Sequence, residues 1–486
     1  MLNNKDKKNL LIYSFFSLLF IYPLIQAGVY YRDDLDRAIT GQYGWKSLGR
    51  PVADLMMRIF SASGRENLDL FPYTMLFSCF FIALSALLIK KHLDFAKVRY
   101  ASFSAGLIIF NPFMLQNVAY RFDSAGMALA MMLAVASYTF NSHQLKPAIQ
   151  RTVKIIAGIL SLSIYQPCAN IFIGLIAIDL AILCTNQDKS FREKIVYLLN
   201  KAADFFIYYI LYILFIAKIW KHSNTRATTV TFDSSGLDNI INTSRQLYTM
   251  VSSFFHGPVV FYFAIPLFLS ILITLFRIIK NKQDPLLNIC LMVSSFVLLT
   301  ISLLGPNIFL QEAPVFPRTL VSFSTFFVIL SILLSTGSLK LNYFALIPVI
   351  PVFAFSAQLS NALKEQRDHE DMVFNFISQD LLDIKNLKAI TITGEMNISP
   401  SVSILVRNKP LISYFLSPAA GFTADYQLIK KGFLQTTNGY DKKQEDRLEK
   451  AINLTHTINP VKKNTQYSLY LSNNEAIVKL GNDNAH

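Results

Sequence analysis

Residues 10–30 read LLIYSFFSLLFIYPLIQAGVY, and the chain continues directly into Tyr31-Arg32-Asp33-Asp34-Leu35-Asp36-Arg37. The first stretch carries no charge and matches the roughly 20 residues a helix needs to cross the hydrocarbon core. No small-residue cleavage site ends it, so it reads as an uncleaved signal anchor. The second stretch sets carboxylates and guanidinium groups at the exit of that span. Gly41, Trp45, Gly49-Arg50-Pro51 and a short apolar piece ending near Phe60 follow. Acids beside a bilayer, followed by an amphipathic piece, point to an active-site loop lying on the membrane.

The same alternation of apolar runs and charged joints fills most of the chain. With 53% hydrophobic and only 16% charged residues among 486, the composition is that of a polytopic α-helical membrane protein, with about 9–11 spans of the required length. The runs are continuously apolar rather than alternating, which excludes a barrel. Short cytoplasmic loops collect Lys and Arg, so Lys5, Lys7 and Lys8 place the N-terminus in the cytoplasm. Lys90, Lys91, Lys97 and Arg99 after a second span at 71–89 are also inside, whereas the loop 31–70 balances its charges and belongs outside. A third span at 101–118 leads out to Tyr120-Arg121-Phe122-Asp123-Ser124, and a fourth at 125–140 returns to Lys146, Arg151 and Lys154. Later spans fall at 195–220, 259–279, 285–304, 319–336 and 343–358, with Arg277, Lys280 and Lys282 inside.

The apolar stretch 155–184 has basic residues at both ends, Arg151 and Lys154 before it and Lys189, Arg192 and Lys194 after it. A single pass cannot put both ends inside. A re-entrant hairpin or two short helices is expected, broken at Tyr165-Gln166-Pro167, because proline and its predecessor resist helical continuation. Non-helical backbone at that depth needs protein or a water-filled cavity around it, which places Gln166 near a cavity.

The organisation is therefore a transmembrane domain over 1–360 and a soluble α/β domain over 361–486, the latter external. Within the tail a helix is expected at 361–376 and strands at 389–393, 402–406 and 467–471. All four cysteines, Cys79, Cys168, Cys184 and Cys290, lie in apolar runs and read as small core residues. The net charge of +14 sits largely in the inside loops and suits anionic lipid headgroups, not nucleic acid.

Four external constellations carry chemistry. Asp33 and Asp34 supply carboxylates that could deprotonate an acceptor hydroxyl; the plainer reading is a solvated charge cluster with Arg32, Asp36 and Arg37. Their oxygens also suit a divalent cation such as magnesium or manganese. Arg50 opens an amphipathic piece carrying Leu55, Met56, Ile59 and Phe60, where its planar fork could grip phosphate or merely meet lipid headgroups. Arg121 and Asp123 could serve a site or form a salt bridge between helix ends. Arg318, in Phe316-Pro317-Arg318, gives a third external guanidinium after Glu312. The histidines show no metal-ligand spacing: His92 and His143 are inside, His222 and His256 are separated, and His369 lies in a charged helix face.

In order along the chain, Asp33-Asp34 with Arg37, Trp45, Gly49-Arg50-Pro51, Tyr120-Arg121-Phe122-Asp123-Ser124, Tyr165-Gln166-Pro167 and Pro317-Arg318 resemble the phage-type serotype-converting O-antigen glucosyltransferases, the type-specific Gtr enzymes. The resemblance covers nearly the whole membrane region. It implies a GT-C-like glycosyltransferase of the bacterial inner membrane, acting with a polyprenyl-phosphate glucose synthase and a flippase. Glucose would pass from undecaprenyl-phosphate glucose to a sugar of lipid-linked O-antigen on the periplasmic side. Asp33 or Asp34 would be the base, and Arg50, Arg121 and Arg318 would hold the donor phosphate. Arg37, Trp45, Tyr120, Asp123, Tyr165 and Gln166 would shape the substrate sites. The rival readings are an O-antigen polymerase or ligase and a lipid-linked saccharide flippase; a flippase has little use for an acidic external loop or a large external tail.

Overall fold

In the computed structural model, residues 3–142, 144–185, 190–220, 228–231, 233–281, 284–436 and 442–481 are described. Lys189, Lys282, His143 and His222 of the readings above lie outside them. The chain divides into two compact units: residues 1–26, 43–64 and 69–357, and residues 27–42, 65–68 and 358–486.

The first unit is helical. Its elements in chain order are α1 (Asn4–Ala27), then, after α2 (Asp34–Thr40) of the second unit, α3 (Pro51–Phe60), α4 (Tyr73–Phe95) and α5 (Ser124–Thr139). There follow α6 (Pro147–Ile164), α7 (Asn170–Thr185), α8 (Phe191–Tyr212), α9 (Ser234–Phe254), α10 (Val259–Asn281), α11 (Pro285–Ser302) and α12 (Thr325–Ser335). The helix α13 (Val349–Leu382) begins in this unit and continues in the second. Among the described residues, eight helices are long and apolar enough to cross a membrane, and two shorter apolar helices accompany them. The polytopic reading therefore stands.

Helix α7 is the most enclosed of the eight, packing against α11 and α12, while α5 packs between α4 and α6. A buried polar knot joins four of these helices. His92 of α4 lies 2.7 Å from Asp179 of α7, whose carboxylate also accepts from the hydroxyls of Tyr138 in α5 and Tyr197 in α8. Lys201 closes the knot by donating to the Tyr138 carbonyl at 2.7 Å. Each charged group has a partner, as a low-dielectric interior requires.

The break at Tyr165-Gln166-Pro167 is present, as a 3-10 turn over Gln166–Ala169 between α6 and α7. Both arms are of spanning length, so the hairpin is not made of two short helices: α6 starts at Pro147 and takes Arg151 and Lys154 into its first turns. The span expected at 101–118 is not one helix. It breaks after Ala101–Gly106 and resumes at Leu115–Ala119, because Pro112 lacks a donor and Asn111 replaces the helical ladder. The Asn111 Oδ1 accepts from the Phe113 amide at 3.0 Å, and its Nδ2 donates to Leu320 and Val321 carbonyls at 3.1 and 3.0 Å. Helix α12 likewise starts at Thr325, not 319, after 3-10 turns at Pro317–Thr319 and Val321–Ser324. Side chains of the first irregular, buried segment thus satisfy backbone groups of the second. Cys290 is exposed on α11, unlike the other three cysteines, so it is not a core residue.

The second unit is built on a four-stranded sheet. Its strands are β1 (Ala389–Gly394), β2 (Lys462–Lys463), β3 (Tyr467–Ser472) and β4 (Glu475–Leu480), in the order β1-β4-β3-β2. Strand β1 runs parallel to β4 and the other pairs are antiparallel. Asn473 and Asn474 link β3 to β4 with φ of 52° and 64°, the left-handed pair a two-residue hairpin favours. One face packs Leu469, Val478 and Ile390 against Phe374 and Ile377 of α13 and Leu428 of α15 (Phe422–Lys430); the other packs Tyr470 and Ile477 against Ala451 of α16 (Lys442–Thr457). The segment 402–406 is helical rather than a strand, within α14 (Pro400–Asn408). Ser399 caps it by accepting from the Val402 amide, and Pro400 takes the first helical position.

Asp425 is buried in α15, and burial pushes its carboxyl up to about 8. In the folded chain it holds a proton that the unfolded chain releases near its ordinary value, so stability falls as pH rises from about 4 to 8. Asp425→Asn should therefore flatten that decline and leave the second unit more protease-resistant than wild type at pH 8.5, with little difference at pH 4.5. Pulse proteolysis of the full chain in detergent reads both.

Candidate active site

Gly49, with φ of 74°, turns the chain so that Arg50 stands at the N-cap position of α3 and Pro51 takes its first helical position. Met56 and Met57 point inward, while Leu55 and Ile59 are exposed, leaving an apolar stripe on the outer face. Gly126 of α5 leaves room for this: a Cβ there would stand 3.0 Å from the Met56 terminal methyl.

Arg50 is fixed on two sides. Its Nε donates to Gln166 Oε1 at 2.8 Å, and its guanidinium carbon lies 4.9 Å from the Tyr165 ring centre. The Gln166 amide in turn donates to the Leu48 carbonyl and the Tyr212 hydroxyl, and Tyr212 donates to the Gly49 carbonyl at 3.0 Å. The break between α6 and α7 thus holds the Arg50 turn.

Arg318 approaches the same tyrosine. Its carbonyl accepts from the Tyr165 hydroxyl at 3.4 Å, and its guanidinium donates to the Tyr120 hydroxyl. Its backbone is clamped by two buried amides: the Arg318 N–H donates to Gln116 Oε1 at 2.9 Å, and Asn117 Nδ2 donates to the Arg318 carbonyl at 3.1 Å. Arg50, Arg318 and Asp123 all bear electrostatically on the Tyr165 hydroxyl. Trp45, 1% exposed, donates its indole N–H to Asp123. Behind Trp45, Asp123 and Tyr165 the remaining void is about 10 Å³, room for one water at most. The cluster is packed solid from behind.

Arg121 has a different partner. It pairs with Asp69 at 3.1 Å and lies over the Phe71 ring. The structure therefore gathers Trp45, Arg50, Tyr120, Asp123, Tyr165, Gln166 and Arg318, with Arg121 held by Asp69. Gln116, Asn117, Asp69 and Tyr212 were missed by sequence reasoning. The signal for the first two was there, as amides inside an apolar stretch.

Asp33, Asp34 and Arg37 fall in the second unit. Asp34 is wholly buried and accepts from the Tyr31 amide at 2.9 Å. Asp33, at the N-cap of α2, keeps 37% of its side chain exposed and pairs with Arg37 at 3.2 Å. Asp34 thus meets a backbone amide and Asp33 a guanidinium.

An irregular buried core with guanidinium groups stacked on tyrosine rings, inside a bundle of spanning-length helices, defines a multi-pass helical membrane protein. The chain belongs to the glucosyl transferase GtrII family, whose model matches residues 6–335. It is thus a glucosyltransferase of the gtr type. It is also similar to an uncharacterized 55.3 kDa protein in the gtrB 5' region of Salmonella phage P22, 25% identical over 471 residues, spanning 90% of this chain and 95% of that protein. No solved structure matches.

Proposed function

We propose that the protein moves glucose from undecaprenyl-phosphate glucose to a sugar hydroxyl of lipid-linked O-antigen, on the periplasmic side of a bacterial inner membrane. The observation that carries this reading is the pair of guanidinium groups held on neighbouring tyrosines, Arg50 over the Tyr165 ring and Arg318 on the Tyr120 hydroxyl, within a family of glucosyltransferases. A phosphate leaving group develops charge as the bond to the anomeric carbon breaks, and fixed cations in a partly dry site stabilise that charge without reorganising.

In this mechanism Asp33 takes the proton from the acceptor hydroxyl as its oxygen attacks the anomeric carbon, and the electron pair of the broken bond leaves with the phosphate. Asp33 suits the role better than Asp34 because its carboxylate is partly exposed, while that of Asp34 is spent on the Tyr31 amide. Arg37 positions Asp33. Trp45, Tyr120, Asp123, Tyr165 and Gln166 shape the donor pocket, and Arg121, paired with Asp69, supports its rim. Partnership with a polyprenyl-phosphate glucose synthase and a flippase is what the resemblance to the type-specific Gtr enzymes implies, and the name of the phage relative places that protein beside gtrB. The inside placement of Lys5, Lys7, Lys8, Lys90 and Lys91 supports the periplasmic assignment.

The test supplies membranes carrying the protein, but no synthase, with labelled undecaprenyl-phosphate glucose or with labelled UDP-glucose. Label should reach lipid-linked O-antigen from the first donor alone. Equal labelling from the nucleotide sugar would overturn the lipid donor.

A further inference from the structure

The acidic segment 27–42 lies far from the tail in sequence, yet it folds within the tail's unit. Tyr31 is the hub of that arrangement. It is 3% exposed, and its hydroxyl donates to the Phe415 carbonyl at 2.7 Å, 384 residues away. Arg32 Nε donates back to that hydroxyl at 3.3 Å. The amide of Tyr31 is bound by Asp34 at 2.9 Å, the turn that starts α2. Phe415 is itself fixed, its ring fully buried and its amide bonded to the Ile412 carbonyl at 2.9 Å.

Other contacts brace the segment at its ends. Arg367 of α13 reaches the Gly28 carbonyl at 3.4 Å, α15 packs on α2, and the Asn67 amide donates to the Gly41 carbonyl at 2.8 Å. Arg32 holds φ at 52°, a left-handed conformation uncommon for a side chain of its size, and the surrounding contacts over-determine it. The strained residue stands immediately before Asp33.

We infer that the tail is a positioning unit for the base, with Tyr31 the positioning residue: its bond to the Phe415 carbonyl sets where α2 starts and hence where the Asp33 carboxylate sits. This rests on the proposed role of Asp33. It assigns the tail a part in the chemical step. A buried hydroxyl spent on one carbonyl is an economical clamp, since tyrosine supplies a rigid body with a polar tip.

Tyr31→Phe keeps the ring and removes the clamp. In the full chain in detergent, kcat should fall about tenfold while the donor KM stays unchanged, as expected for a displaced catalytic group. Amide hydrogen exchange across residues 33–41 should speed several-fold, a readout independent of activity. A merely structural role would lower the yield of folded protein but leave turnover per folded molecule intact. Wild-type kcat and exchange in Tyr31→Phe, with Asp33→Asn inactive, would overturn the inference and leave the base assignment standing. Full activity of Asp33→Asn would remove the base assignment, and the tail's catalytic role with it.

Discussion

Asp33→Asn is expected to lower the turnover number for glucose transfer by about 10²–10⁴-fold, the range a positioned general base contributes. The amide is isosteric, and it can still accept from Arg37, so the start of α2 should survive. Donor KM should change little, because the proton is taken in the chemical step and not on donor binding. Asp34→Asn is predicted to behave differently. Its carboxylate is fully buried against the Tyr31 amide, so the substitution should reduce the amount of folded protein more than the activity of what folds. Transfer measured per folded molecule, with folding followed by size exclusion in detergent, separates the two. Wild-type turnover in Asp33→Asn together with a dead, well-folded Asp34→Asn would exchange their roles.

Arg50→Lys should reduce kcat/KM for the lipid donor by about a hundredfold, comparable with the loss of one preorganised donor to a developing anion. The charge is retained, so the experiment isolates geometry. Lysine offers no planar fork to stack 4.9 Å over Tyr165, and no Nε to donate to Gln166 while the remaining nitrogens face a phosphate. A compact ammonium on a flexible stem would sample positions that the guanidinium does not. Competition by an undecaprenyl-phosphate analogue should weaken in parallel, because product and donor share the phosphate. Unchanged transfer and unchanged competition would move the phosphate site away from Arg50.

Much of the bundle was legible because membrane insertion is a local matter. The run at 10–30, the pieces at 71–89 and 259–279, and the proline break at 165–167 all appear close to where length and hydropathy put them. The amphipathic helix after Arg50 was also readable, since its cap and its stripe are written in consecutive residues. Helix α9 lies between the spans at 195–220 and 259–279, where no helix was expected. Its signals were nonetheless local: the Asp233 carboxylate caps the helix through the Gly236 amide at 2.9 Å.

The order of the site motifs was likewise visible, but their pairing was not. Arg121 and Asp123 stand two residues apart, yet one pairs with Asp69 and the other with Trp45. Nothing in local spacing distinguishes such partners. The helix expected at 101–118 failed for the same reason: Asn111 gains its carbonyl partners 209 and 210 residues later. The strand expected at 402–406 failed because an apolar run of that length fits either structure, and the Ser399-Pro400 start signal outweighed β-branching.

By itself, then, the sequence determined that this is a multi-pass helical protein with charged external joints, because burial in lipid demands long apolar helices whatever surrounds them. Only the tertiary structure decided that Asp33 is the more open of the two acids, that Arg50 and Arg318 share Tyr165, and that the acidic segment folds with the tail. Those choices depend on which donor meets which acceptor across hundreds of residues, and that is fixed by packing rather than by any local preference.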